Sequence, residues 1–441
     1  MRIGRRHFLM AGVCALAAPT AAFAAPQTDE QKSAAKLSNA DPALAPELLL
    51  PEKDLAWWRD AKFGIFVHWG LYAIPGRGEW HMFSDKVPPG EYRRLADQFD
   101  PQAYDPDQWA ALAKQAGARY MVMTARHHDG FALWDSPSSF QQFDAMHAKA
   151  HRDLIRPYVN AVRRAGLKVG LYYSPLDWRF PAYFHPRELP ENARLLKMQT
   201  YDQVGELMKN YGKIDVLWWD GGWLAHTGTD ADAAWFWEPA KLNAMVRKYQ
   251  PKILINPRSG WIGDFDTEEG HGTISGPIRA RPWEKTFALG SAWGYTPDNY
   301  AMSWQKVVPF IVNAAVRNGN ALINVGPDPQ GRIPPAQAET LKGIGQWMGK
   351  YGYTIQNTRP GPLQPRDGVF GTTFRKNKVF VHIFSWPEDS LTLSGFPKTV
   401  QTAVSVTGGK VVWSQQDGTL TLRVDAGSRG DPLTVIELTC A

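Results

Sequence analysis

One stretch decides the fold of this chain: Val216-Leu217-Trp218-Trp219-Asp220-Gly221-Gly222-Trp223. Its apolar residues favour a buried strand, and the two glycines allow the backbone to turn sharply after the acid. Barrel enzymes carry catalytic groups at the C-terminal ends of buried parallel strands, which is where Asp220 would lie. Strand alternation places Trp218 on the same side as Asp220. Two interpretations stay open here: a nucleophile beside an aromatic sugar platform, or an aspartate that caps the following turn.

Short apolar strands alternate with amphipathic helices from about residue 55 to residue 350. The candidate strands are 63–67, 120–123, 169–173, 216–219, 253–255 and 322–325, and the candidate helices are 106–117, 154–166, 192–211 and 239–249. This alternation predicts an α/β fold with a parallel sheet, most simply a (β/α)8-type barrel over residues 51–355. The last strands are poorly marked, which points to an irregular barrel. A doubly wound sheet is the alternative, although no strand precedes a glycine-rich nucleotide fingerprint.

The pattern changes after about residue 356. Short strands are predicted at 379–384, 411–413, 420–424 and 433–436, separated by the turns Gly408-Gly409, Asp417-Gly418 and Gly430-Asp431-Pro432. Short strands with frequent glycine turns predict an antiparallel β-sandwich over residues 356–441. This part contains no cluster of acids or histidines, so we expect it to have a packing or accessory role.

The first 24 residues have the features of an export signal. Arg2, Arg5 and Arg6 precede a short apolar segment, 8–18, and a small-x-small cleavage site at 22–24. The paired Arg5-Arg6 fits a twin-arginine signal, and the apolar segment is too short to span a membrane. We therefore expect a periplasmic or secreted protein without a membrane anchor. Residues 25–50, rich in alanine and proline, are predicted to be a loose lead-in.

Composition excludes some functions. The formal charge of +6 falls to +3 without the three signal arginines, and no basic run suggests binding to nucleic acid. Cys440 is the only cysteine left outside the signal, so no intrachain disulfide is expected. The chain contains 19 tryptophans, a high count, and their wide rings suit the apolar faces of sugars.

Polar and aromatic residues follow five successive candidate strands. These residues include His68 and Trp69, then Arg126, His127, His128 and Asp129, then Tyr173 and Ser174, then Asp220, and finally Asn256, Arg258 and the acids 264–269. A single histidine after a strand is more often a structural hydrogen-bonding residue than a catalyst. In a barrel, however, all five strand ends converge on one face, which predicts a functional site there.

Two common chemistries fit the sequence poorly. Adjacent His127 and His128 diverge on a strand or turn, and no His-x-x-x-His or cysteine pair supports a metal site. No Gly-x-Ser-x-Gly elbow suggests a serine hydrolase. The sequence does contain one carboxylate at a strand end and others on a later loop. Two carboxyl groups are the minimum that glycoside hydrolysis requires.

Several motifs together resemble the α-L-fucosidases of glycoside hydrolase family 29. They are the stretches 62–70 (KFGIFVHWG), 124–131 (TARHHDGF), 217–221 (LWWDG), 291–295 (SAWGY), 319–327 (GNALINVGP) and 343–347 (GIGQW). The resemblance spans about residues 55–360. It implies a barrel, a β-sandwich and a retaining exo-hydrolase that acts on fucosylated oligosaccharides or glycoconjugates without a cofactor or metal.

The resemblance also implies catalytic residues. Asp220 falls at the position of the family's nucleophile, and we expect hydrogen-bond donors around it to keep it ionised. The pattern Asp-Phe-x-Thr-x-Glu places the acid/base at Glu269, a position that varies in the family. Glu284 and the adjacent Glu268 are the alternatives.

The predicted sugar-binding residues follow from the same resemblance. They are His68, His127, His128, Tyr173, Trp218 and Arg258, with Glu79 and Trp80 in a more variable loop and Trp293 beside Trp218 as a wall for the methyl group of fucose. A register error of one residue would exchange Tyr173 for Tyr172. Two other functions stay open: an exo-hydrolase for a related sugar such as an α-L-galactoside, and a non-catalytic carbohydrate-binding protein. The sequence predicts neither the preferred linkage nor the oligomeric state.

Overall fold

The computed structural model describes residues 45–441, so the predicted signal peptide and residues 25–44 of the predicted lead-in lie outside the described residues. The stretch quoted first forms strand β4 (Val216–Trp219), and all four of its side chains are buried. Parallel strands pair with β4 on both sides, as expected for a strand that is apolar on both faces. In residues 45–441, no helix combines the length and the apolar character needed to cross a bilayer.

Eight parallel strands form one curled sheet in the order β5-β4-β3-β2-β1-β8-β7-β6. The strands are β1 Phe63–Val67, β2 Tyr120–Arg126, β3 Lys168–Tyr173, β4 Val216–Trp219, β5 Leu254–Ile255, β6 Asp266–Glu269, β7 Trp283–Ala288 and β8 Gly319–Val325. All six predicted strands are present. The sequence missed β6 and β7 because charged residues interrupt their apolar pattern.

Helices connect most of these strands and cover the outside of the sheet. The longer ones are α1 Glu52–Ala61, α2 Pro106–Gln115, α3 Ile155–Arg164, α4 Pro190–Asn210, α5 Pro239–Tyr249, α6 Trp304–Ala315 and α7 Pro335–Tyr351. Local sequence explains where α2 begins: the Asp105 side chain accepts hydrogen bonds from two backbone N–H groups of the first turn, and Pro106 follows it. Short helices at His81–Ser84, Pro89–Arg93 and Ala234–Trp237 lie in the connections.

The barrel is irregular between β5 and β7, as the weak strand pattern predicted. Residues 256–265 and 270–282, which the structure describes in full, contain no helix, and β5 and β6 are the two ends of the sheet. The curled sheet still encloses an interior core, in which the rings of Trp58 and Phe265 lie 4.5 Å apart. The alternation of strand side chains separates this interior from a larger outer core beneath the helices.

Asp264 anchors the open edge of the sheet. Its Oδ1 accepts a hydrogen bond from the Leu50 N–H (2.9 Å), and its Oδ2 accepts one from the Ile255 N–H (2.8 Å). The Arg247 guanidinium from α5 donates to both carboxylate oxygens, at 2.9 and 2.7 Å. One buried carboxylate therefore joins the N-terminal segment, the end of the sheet and a covering helix.

The C-terminal part is a β-sandwich, as predicted. One sheet has the order β13-β16-β11-β10-β9 and the other β12-β15-β14. Their strands are β9 Arg359–Pro360, β10 Phe370–Arg375, β11 Lys378–Ile383, β12 Ser390–Leu393, β13 Val400–Ser405, β14 Val411–Gln416, β15 Thr419–Val424 and β16 Thr434–Cys440. A separate apolar core lies in the sandwich, and an Arg317–Asp367 ion pair of 2.7 Å links it to the barrel.

We predict that Asp264→Ala destabilises the protein by about 3 kcal/mol, because it leaves the buried Arg247 guanidinium and two backbone N–H groups without their acceptor. Urea unfolding followed by tryptophan fluorescence measures the loss. The matched control is Asp107→Ala, which removes an ion pair to Arg164 that is exposed on both sides. Equal shifts of the two urea midpoints would contradict the anchoring role of Asp264.

Candidate active site

The end of β4 places the Asp220 carboxylate at the C-terminal face of the barrel. The Asp220 N–H continues the strand ladder by donating to the carbonyl of Tyr173 (3.2 Å). On the other side, the Asn256 side chain donates to the Trp219 carbonyl (2.9 Å) and accepts from the Trp219 N–H (2.7 Å). This amide takes the place of a strand neighbour where the two-residue β5 has already ended.

Two glycines let the chain turn away directly after Asp220. Gly221 has φ +71°, and a β-carbon there would lie 2.9 Å from Ser174 Oγ and 3.0 Å from the His128 ring. A β-carbon on Gly222 would lie 2.7 Å from Asp230 Oδ1. Any larger residue would therefore displace groups that surround the carboxylate.

A cavity opens over Asp220 and contains most of the predicted site. It is lined by Phe66, His68, Glu79, Trp80, Ser84, His127, His128, Tyr172, Trp218, Asp220, Arg258, Glu269 and Trp293. The structure thus brings together ten of the predicted residues from loops and strands around the whole barrel. Sequence reasoning missed Phe66 and Ser84. Alternation from His68 could have found Phe66, whereas no sequence signal marks Ser84.

The structure corrects the prediction at Tyr173. Its hydroxyl donates to Gln203 Oε1 on helix α4 (2.9 Å), on the outer face of the sheet. Tyr172 lines the cavity instead, and its hydroxyl donates to Asp220 Oδ2 (2.9 Å). The pairing of β3 with β4 sets Tyr172 beside Trp218, so the two residues share the inner face. The error is the one-residue register shift that strand alternation permits.

Hydrogen-bond donors surround the Asp220 carboxylate. Besides Tyr172, the Gly221 N–H donates to Oδ1 (2.8 Å), and Arg258 Nη2 donates to the same oxygen. His128 Nε2 lies 3.6 Å from Oδ2. The hydrogen-bond donors that the sequence led us to expect around Asp220 are therefore present.

Arg258 also contacts the second carboxyl group of the cavity. Its Nη1 donates to Glu269 Oε1, while its Nη2 bonds to Asp220. Burial raises the pKa of Glu269 to about 7, against the opposing effect of the Arg258 charge. The shared guanidinium is compatible with the separation of ~5–5.5 Å that retaining glycosidases require of their two carboxyl groups.

A third carboxyl group, Asp230, faces the same guanidinium. Its Oδ2 lies 3.7 Å from Arg258 Nε, and burial raises its pKa to about 8. Arg258 thus faces three buried carboxyl groups, and burial favours the protonated forms of Glu269 and Asp230. Asp230 does not line the cavity, and no motif in the sequence pointed to it.

The other two candidate glutamates lie outside the cavity. Glu268 pairs with Arg279 and lies 3.7 Å from Lys285 Nζ. Glu284 is buried inside the barrel, where it accepts hydrogen bonds from the Tyr120 hydroxyl and from Trp218 Nε1 (2.9 Å). Burial raises the pKa of Glu284 to about 7, yet its two partners hold it beneath Trp218. Of the three, only Glu269 reaches the cavity.

Three buried histidines offer neutral imidazoles to the cavity. Burial lowers the pKa of His68 to about 4 and holds the pKa values of His127 and His128 well below the usual range. The Asn324 amide nitrogen donates to the Trp293 carbonyl, so its oxygen accepts from His68 Nδ1 (2.7 Å). His68 Nε2 is then an acceptor. Within the described residues, His127 Nδ1 has no hydrogen-bond partner, as expected of an atom that serves a ligand.

Aromatic rings form an apolar wall of the cavity next to His68, whose ring lies 4.5 Å from Phe66 and 5.2 Å from Trp293. The Phe66 ring lies 5.2 Å from Trp218 and 6.3 Å from Trp293, measured between centroids. Glu79 supports the loop of Trp293 by accepting a hydrogen bond from the Gly294 N–H (2.8 Å). In residues 45–441, no three histidine, cysteine or acidic side chains form a group that could hold a metal ion.

Comparisons with known proteins agree with this geometry. The family model for alpha-L-fucosidases matches residues 37–353. The chain is 29% identical to the tissue alpha-L-fucosidase of Mus musculus over 415 residues, which cover 85% of this chain and 89% of the mouse protein.

Solved structures are also similar. Alpha-L-fucosidase isoenzyme 1 from Paenibacillus thiaminolyticus matches with a TM-score of 0.78 and 34% identity, covering 88% of this chain and 99% of that one. A family 29 alpha-L-fucosidase from Bacteroides thetaiotaomicron, trapped as a covalent intermediate, matches with a TM-score of 0.80 and 26% identity, covering 89% and 97%. The resemblance inferred from the motifs is confirmed, and the chain belongs to the α-L-fucosidases of glycoside hydrolase family 29.

Proposed function

We propose that this protein is a retaining exo-α-L-fucosidase in which Asp220 is the nucleophile and Glu269 the acid/base. One observation carries the assignment: two carboxyl groups in one cavity are bridged by Arg258, and they differ in their surroundings. The Tyr172 hydroxyl and the Gly221 N–H donate hydrogen bonds to Asp220, whereas burial favours a proton on Glu269. A pair of carboxyl groups with different protonation is what double displacement requires.

The first step forms a bond to the enzyme. Glu269 gives its proton to the glycosidic oxygen as Asp220 Oδ2 or Oδ1 attacks the anomeric carbon. The glycosidic bond breaks, the rest of the glycan leaves as an alcohol, and fucose stays attached to Asp220 as an ester. In the second step, ionised Glu269 takes a proton from water, and the water oxygen attacks the same carbon. The ester bond breaks, which releases fucose and restores both side chains.

The cavity lining supports a fucoside as the substrate. The neutral imidazoles of His68 and His127 offer hydrogen-bonding nitrogens that suit sugar hydroxyls: His68 Nε2 is an acceptor because its Nδ1 bonds to Asn324, and His127 Nδ1 has no partner within the described residues. The rings of Phe66, Trp218 and Trp293 provide an apolar wall for the methyl group. An α-L-galactoside would place a hydroxyl at that methyl position, and this apolar wall favours the fucoside.

The nucleophile is tested by removing its side chain. We expect Asp220→Gly to lower kcat on 4-nitrophenyl α-L-fucoside by about three orders of magnitude or more, because no group remains to form the ester. Added azide should restore turnover by entering the vacated space, and attack from that side inverts the anomeric carbon to give β-L-fucosyl azide. Nuclear magnetic resonance identifies the anomer. Full activity without azide would rule out Asp220 as the nucleophile.

The acid/base is tested with leaving groups of different acidity. We expect Glu269→Ala to lower kcat/KM by about 10²–10⁴-fold on a fucosylated oligosaccharide, whose departing alcohol needs a proton. The loss should be much smaller on a 2,4-dinitrophenyl fucoside, whose leaving group departs as an anion. The neighbouring Glu268→Ala, which removes a carboxylate outside the cavity, is the matched control. Equal losses on both substrates in Glu269→Ala would argue against this role.

The pH dependence follows from the pKa of Glu269. The acid must be protonated, and its raised pKa of about 7 means that this form is present below pH 7 and is lost as the pH rises. We therefore expect kcat/KM on an oligosaccharide to fall above about pH 7. Glu269→Gln should remove this alkaline limb from the remaining activity. If Glu284→Gln instead removed the fall in kcat/KM above about pH 7, that fall would be assigned to Glu284, the other glutamate with a pKa near 7.

A further inference from the structure

A second cavity lies at the same end of the barrel as the active site. The connection after β3 contributes Phe184, Pro186, Arg187 and Glu188, and the connection after β4 contributes Leu224, Ala225, Thr227, Gly228, Asp232, Ala233 and Trp235. Both connections begin at strands that carry active-site residues, Tyr172 on β3 and Trp218 on β4. No catalytic role proposed above involves any residue of this second cavity.

The lining of the second cavity has the chemistry of a sugar site. The Trp235 side chain is exposed to 52%, although a tryptophan normally buries most of its surface. The Arg187 guanidinium lies over one face of its ring, 4.6 Å from the centre, so a sugar would stack on the opposite face; Glu188 and Asp232 add carboxylates to the same cavity. An exposed indole beside charged hydrogen-bonding groups can bind the apolar face and the hydroxyls of one pyranose ring together.

A thin aromatic wall separates the two cavities. Trp80 lines the catalytic cavity, and the His226 ring lies 5.3 Å from it. The same His226 ring lies 5.9 Å from Phe184, which lines the second cavity. The His226 imidazole therefore contacts one wall residue of each cavity. The two cavities are therefore neighbours at one end of the barrel.

The backbone that carries His226 is strained. A β-bridge between Leu224 and Thr227 closes a tight hairpin whose two corner residues, Ala225 and His226, both have φ +54°. Such a corner favours asparagine and glycine, and other residues adopt this conformation at a cost in free energy. Strain of this kind collects at functional sites, and here it sets the imidazole between the two cavities.

We propose that the second cavity is a subsite for the sugar units that remain when fucose is removed, with Trp235 as the platform on which one of them stacks. The inference rests on the proposed fucosidase function and extends it from the terminal sugar to the rest of the glycan. The proposed occupant is a pyranose of the oligosaccharide rather than a small aryl group, because an aryl aglycone is one ring long and replaces only the sugar unit next to the fucose.

The test compares two substrates in one variant. We expect Trp235→Ala to raise KM on a fucosylated trisaccharide or tetrasaccharide, lowering kcat/KM by about tenfold, the value of one stacking contact of ~1.4 kcal/mol. The reaction on 4-nitrophenyl α-L-fucoside should stay within about twofold, because its aglycone does not reach Trp235. Trp235→Phe should recover most of the loss, since it keeps an aromatic face. A panel of α1,2-, α1,3- and α1,6-linked substrates identifies the linkage that uses the subsite.

Controls separate this inference from the proposed function. Tyr300→Ala removes another aromatic side chain, which is exposed to 53% and lines neither cavity. This variant should change the kinetics on neither substrate.

Unchanged oligosaccharide kinetics across the panel in Trp235→Ala, or equal losses on both substrates, would overturn the subsite while leaving the fucosidase function intact. If the wild type hydrolysed no α-L-fucoside, the proposed function would fail. Oligosaccharide binding would then be measured by calorimetry, and equal affinities of wild type and Trp235→Ala would overturn the subsite as well.

Discussion

The active site depends on one buried guanidinium placed among three carboxyl groups. Arg258 donates to Asp220 and to Glu269, and Asp230 lies 3.7 Å from its Nε. A single positive charge in a buried cluster can stabilise one carboxylate well, and burial then favours protons on the others. Burial raises the pKa values of Glu269 and Asp230, whereas the Tyr172 hydroxyl and the Gly221 N–H donate hydrogen bonds to Asp220 alone among the three.

The irregular side of the barrel makes this cluster possible. Where the chain lacks helices between β5 and β7, Arg258 follows a strand of two residues, and Glu269 ends β6 across the opening of the sheet. The side chains of Asn256 and Asp264 replace the missing strand contacts. The same opening therefore contains both the side chains that anchor the end of the sheet and the side chains that line the cavity.

Much of the molecule could be predicted from local pattern. Apolar runs identified six of the eight barrel strands, and the motif Asp-Phe-x-Thr-x-Glu pointed to Glu269, which alone among the three candidate glutamates lines the cavity. The two errors of prediction, the missed strands and the choice of tyrosine, share a cause: both depend on contacts that form only in the folded protein. Strands β6 and β7 carry charged residues that face partners distant in the sequence, so their pattern resembles a loop. Tyr172 and Tyr173 are adjacent, and only the pairing of β3 with β4 decides which one faces Asp220.

The sequence by itself determined where the strands end and which chemical groups follow them, because strand burial and glycine turns are local properties of the chain. It placed Asp220, the histidines and Arg258 at one face. Only the tertiary structure decided the partner of each group: Trp218 for Glu284, Arg279 for Glu268, and Arg258 for Glu269. These partners lie up to 66 residues apart, and side-chain direction and burial arise only when the sheet curls and brings distant strands around one interior.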